Sequence, residues 1–95
     1  MDKRTEYVEN LSAQMVEWDV QIERLKEKIE FAKPEMKYEY AQTIAALQLK
    51  RDEAAQQLQG ISTAGDNEWE ELKNGTEQTW EAISNALRDA IVKTQ

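Results

Sequence analysis

Ile29-Glu30-Phe31-Ala32-Lys33-Pro34-Glu35-Met36 decides the fold, because it carries the one proline in a 95-residue chain whose first 59 residues otherwise read as helix. Proline has no amide hydrogen to donate, and its ring clashes with the preceding turn at a cost of about 3 kcal/mol. It also drives the residue before it, here Lys33, toward extended geometry. Two architectures are compatible with this stretch. In the first, a single amphipathic coiled-coil helix runs from about residue 3 to 59, kinked at Pro34 and roughly 85 Å long at ~1.5 Å per residue. In the second, one helix ends near Ala32 and another starts at Pro34, which gives a three-helix up-down-up bundle.

Outward from Pro34 an apolar stripe runs in both directions. Tyr7, Leu11, Trp18, Ile22, Leu25 and Ile29 precede it; Met36, Tyr40, Ile44, Leu47, Ala55 and Leu58 follow, with Gln14, Lys33 and Arg51 as polar exceptions. In steps of eleven the columns are Tyr7, Trp18, Ile29, Tyr40 and Leu25, Met36, Leu47, Leu58. Eleven residues in three turns, about 3.67 per turn, keep a stripe on one face of a nearly straight rod, whereas a strict heptad winds left-handed. Within residues 11–29 a heptad through Met15 fits equally well. Two features favour the rod: the phase passes Pro34 without a slip, and Phe31, Met36, Tyr38 and Tyr40 are very apolar for an exposed hairpin tip.

Gly60-Ile61-Ser62-Thr63-Ala64-Gly65-Asp66 is the one strong turn signal, with Gly60 suited to follow a helix end. Asn67 and Glu70 have the spacing of a capping box, and Glu68, Glu70 and Glu71 place acid on the positive end of the next helix. That helix is expected from about residue 67 to 93. Trp69, Trp80 and Ile91 repeat the spacing of eleven within it, Leu72, Ile83 and Leu87 join the stripe, and Gly75 is a soft spot. The expected fold is therefore all-α, a single domain over residues 1–95, with the last helix folding back on the first part of the chain.

Composition narrows the chemistry. The net charge of −7 and the lack of a basic patch speak against nucleic acid, whose phosphates are bound by clustered Lys and Arg. Cysteine and histidine are absent, which removes thiolate nucleophiles, imidazole bases, disulfides and most transition-metal sites. Glu6, Glu9, Glu17, Glu23, Glu27 and Glu30 lie off the stripe among Lys and Arg, and such runs are ordinary solvated helix faces. Neither an enzyme nor a cofactor is expected. Met1-Asp2-Lys3-Arg4-Thr5-Glu6 leads into no apolar segment, so the expected setting is cytoplasmic.

Trp18, Trp69 and Trp80 all fall on the stripe and are expected in the core, while Tyr38 lies off it and faces solvent. An isolated helix gains nothing in water from one apolar face, so the stripe needs a partner. If the last helix covers half of a rod, the half with Leu11, Trp18, Ile22 and Leu25 stays open, which predicts a homo-oligomer or a partner helix. Lipid-surface helices also use eleven-residue repeats, but they carry basic polar faces. Glu68, Glu70, Glu71, Glu77, Glu81 and Asp89 outnumber Lys73, Arg88 and Lys93, so membrane association is disfavoured.

Several residues carry a resemblance. Tyr7-Val8 to Leu11, Glu17-Trp18 before a Lys/Glu-rich helix, Glu39-Tyr40, Lys50-Arg51-Asp52-Glu53-Ala54 and Trp69-Glu70-Glu71-Leu72-Lys73 with Gly75 and Trp80 together span nearly the whole chain. In these the chain resembles small bacterial coiled-coil proteins of the stress-response type. The resemblance implies a helical protein with no catalytic residues and a stress association. Pro34 departs from the family pattern, which runs through this region without proline.

Overall fold

A computed structural model describes residues 3–94. They form three α-helices, α1 (Lys3–Glu30), α2 (Pro34–Thr63) and α3 (Glu68–Lys93), and no strand occurs among the described residues. The bundle measures 51 × 20 × 17 Å along its principal axes. The 85 Å rod is thus not formed, and the up-down-up bundle is. Its topology is fixed by cross-helix pairs. Tyr7 meets Trp69 at 5.8 Å and Trp18 meets Trp80 at 5.1 Å between ring centroids, so α1 and α3 run parallel. Asp19 with Arg51, and Arg4 with the Ala64 carbonyl, set α2 antiparallel to α1.

Pro34 explains the turn at residues 31–33. Lys33 is extended, with φ −62° and ψ 144°, as the residue before a proline must be, and Pro34 takes the first helical position where its missing N–H costs nothing. The Lys33 carbonyl then accepts the Met36 and Lys37 amides at 2.9 and 3.1 Å. Upstream, the Phe31 and Ala32 amides donate to Lys28 and Ile29 carbonyls at 3.1 and 3.0 Å, tightening the last turn of α1. The apolar flanks do stand at a hairpin tip: Phe31 is 89% exposed and Tyr38 74%.

The second connection lies later than the glycines suggest. α2 continues to Thr63, so Gly60 is an ordinary helical residue with no positive φ, and the chain breaks at Ala64, which is extended. Ile61 is 0% exposed, and its burial carries the helix past Gly60. The expected capping box is absent: Asn67 is already helical and makes no side-chain cap bond. Instead the Gly65 carbonyl accepts the Glu68 and Trp69 amides at 3.1 and 3.2 Å.

Burial steps by four and three residues, not by elevens. In α1 it follows Leu11, Met15, Trp18, Ile22 and Leu25, with Gln14 exposed. In α2 it runs through Ile44, Leu47, Ala54 and Ile61, and in α3 through Trp69, Thr76, Trp80, Ile83, Leu87 and Ala90. A seven-residue seam is what helices winding about two neighbours require. The eleven-residue columns are a by-product of that seam, since eleven is one seven plus one four.

Candidate association surface

The stripe closes the chain on itself. Leu11, Trp18, Ile22, Leu25, Ile44, Leu47, Trp80, Ile83 and Leu87 form one buried cluster, with Ile29 and Leu58 packed against it; Trp69 is buried at the α3 start. The expected opening over Leu11, Trp18, Ile22 and Leu25 does not exist. The hairpin halves the length to be covered, and α3 lies parallel to α1 with Trp69 beside Tyr7 and Trp80 beside Trp18. Met36 and Tyr40 are half-buried at the turn end.

Leu72 departs from the expectation, being 45% exposed. Counting by four from Trp69 puts Lys73, not Leu72, on the seam, and Leu72 points about 100° away. The Lys73 ammonium lies 5.2 Å from the Tyr7 ring centroid and 5.9 Å from that of Trp69, a cation–π contact that also shields the ring pair. Met15, Ala54 and Ile61 are core residues outside the eleven-residue stripe, and Thr76 and Ala90, which repeat at eleven with Leu87 and Thr79, are buried as well. Steps of seven find them: Leu47, Ala54 and Ile61 in α2, and Trp69, Thr76, Ile83 and Ala90 in α3.

Polar contacts pin the register at both ends and the middle. Arg51 donates to the two carboxylate oxygens of Asp19 at 2.9 and 3.0 Å, joining α2 to α1, and these bonds hold the guanidinium protonated above its ordinary range. At the turn end Lys93 pairs with Glu39, and the Tyr40 hydroxyl donates to the Lys93 carbonyl at 3.2 Å. Thr76, the one buried polar side chain among the described residues, donates to the Leu72 carbonyl one turn back at 2.9 Å. Among the described residues the Trp80 indole N–H and the Tyr7 hydroxyl are buried without a partner at ordinary hydrogen-bond geometry. Burial, then the neighbouring Glu77 carboxylate, pushes the Tyr7 hydroxyl above its usual 10.0.

Among the described residues no group of three or more acidic, histidine or cysteine side chains is placed to hold a metal ion, and no helix is long and apolar enough to cross a membrane. At the α1–α2 turn Phe31, Ala32, Met36 and Tyr40, with Lys28, Lys33, Glu35 and Thr94, line a groove of about 720 Å³. Val16 and Val20 line a second groove along α1, and Leu49, Leu72 and Val92 are exposed elsewhere. No protein-family model, curated protein or solved structure matches the chain.

Proposed function

We propose that this is a non-enzymatic, self-associating helical protein that works by packing its helices against a second copy or a partner helix. The supporting observation is the turn end, where Phe31, 89% exposed, lines an apolar groove with Ala32, Met36 and Tyr40. Aromatic surface of that kind is what protein interfaces bury at their centres. The chain supplies no thiolate nucleophile, imidazole base or His/Cys metal ligand, since His and Cys are lacking. The resemblance to small bacterial stress-response coiled coils supplies the setting we assign, a bacterial cytoplasm under stress. Light scattering on the full chain at micromolar concentration tests the reading. A mass of two or more chains is expected; a strictly monomeric mass, with cooperative melting, would sink it.

Peripheral lipid binding is the second reading, favoured by the same Phe31 at a tip flanked by Lys28 and Lys33. Against it, Glu27, Glu30, Glu35 and Glu39 offset Lys26, Lys28, Lys33 and Lys37 around that tip, so an anionic surface gains little. Flotation with neutral vesicles separates the two: co-flotation would favour lipid as the partner.

A further inference from the structure

We propose that two copies of this chain pair by exchanging α1: the turn at residues 31–33 opens, and α1 of each copy seats on α2 and α3 of the other. The proposal rests on the self-association reading above and specifies how it happens. Three observations carry it.

First, the interface already exists. Seating α1 on another copy re-forms the same contacts that close the monomer, among them Asp19 with Arg51, Trp18 with Trp80 and Tyr7 with Trp69, so no new complementarity is needed. Second, the hinge is short. Helix α1 ends at Glu30 and α2 starts at Pro34, so only residues 31–33 change conformation when the chain straightens. Third, Ile29, Met36 and Tyr40 keep one phase across the hinge, so a straightened chain carries the seams of α1 and α2 on one side of a single helix. A turn alone imposes no such phase.

In an exchanged pair the register of Asp19 with Arg51 places the symmetry axis near Glu35, at the opened hinge. Pro34 opposes the opened helix and holds the balance toward the closed monomer at low concentration.

The chain has no cysteine, which gives a clean test. Two full-length variants, Asp19→Cys and Arg51→Cys, one carrying a mass tag, are unfolded together and refolded concentrated; the dimer fraction is then treated with a short bis-maleimide. Exchange predicts that the mixed 19-to-51 product dominates the covalent dimers, because only then does residue 19 of one copy lie beside residue 51 of the other. Adding Pro34→Ala to both chains is expected to raise the dimer association constant about a hundredfold for each of the two opened hinges, as the helix breaks are relieved. Dimers that give no mixed product, or an association constant unmoved by Pro34→Ala, overturn the exchange and leave self-association standing. Monomer alone at every concentration overturns both.

Discussion

The two connections of this bundle differ in what makes them. Between α1 and α2 the backbone decides: Pro34 forces Lys33 to be extended, and the chain turns even though this leaves Phe31 in water. Between α2 and α3 packing decides: Gly60 permits a break, yet the helix runs on to bury Ile61 and stops only at Ala64. Proline removes a hydrogen bond outright, whereas glycine in a helix costs only about 1 kcal/mol relative to alanine, less than burying one isoleucine returns. A proline dictates; a glycine merely allows.

Substitutions can break that contrast. The largest effect is expected at Ile61, where alanine should lower stability by about 2–5 kcal/mol in urea titration, since a fully buried side chain is deleted at the end of α2. A loss below half of the lower figure would mean that packing does not hold the helix past Gly60. Gly60→Ala should work in the opposite direction. An added Cβ there meets nothing within 4 Å and the residue is helical, so stabilisation by about 0.5–1 kcal/mol is expected. Destabilisation would restore Gly60 as a helix terminator.

Asp19→Ala should cost no more than about 1 kcal/mol, because the pair with Arg51 is a third to a half exposed, and the cost should shrink in high salt. Phe31→Ala is expected to change monomer stability by less than about 0.5 kcal/mol, as a side chain already in water contributes little. A large loss in a dilute sample would show that the tip is covered in the monomer. One pH effect bears on the other end of the bundle. The pKa of the Tyr7 hydroxyl is raised on folding, so the folded state holds that proton more tightly than the unfolded state. The resulting stability is present below the ordinary value of 10.0 and lost as pH rises through the raised value. Tyr7→Phe should therefore flatten the alkaline part of the stability curve, read by thermal melts between neutral and strongly alkaline pH.

The helical class was legible because alternation of apolar and charged residues is a local property. Trp18, Trp69 and Trp80 were placed in the core for the same reason, and Tyr38 in solvent. The arrangement was less legible. An eleven-residue count and a seven-residue count share Leu11, Trp18, Ile22, Leu25 and Ile29, so the period alone did not choose between a rod and a bundle. The difference sits in residues of weak signal. Met15 against Gln14 favours the heptad; Ala54 and Thr76 are small enough to be buried without looking apolar in a stripe. Leu72 was misplaced because Lys73, a charged residue, occupies the seam and sends its ammonium over the Tyr7 and Trp69 rings.

The closed hairpin of α1 and α2 is tested most directly by one intramolecular distance. Spin labels at Thr5→Cys and Gln57→Cys, in doubly labelled chains diluted to the monomer, lie near neighbouring ends of antiparallel helices. About eight residues of axial offset and one helix spacing predict a separation of roughly 15 Å. A separation of roughly 80 Å in the monomer, the span of one unbroken helix between those positions at ~1.5 Å per residue, would contradict it.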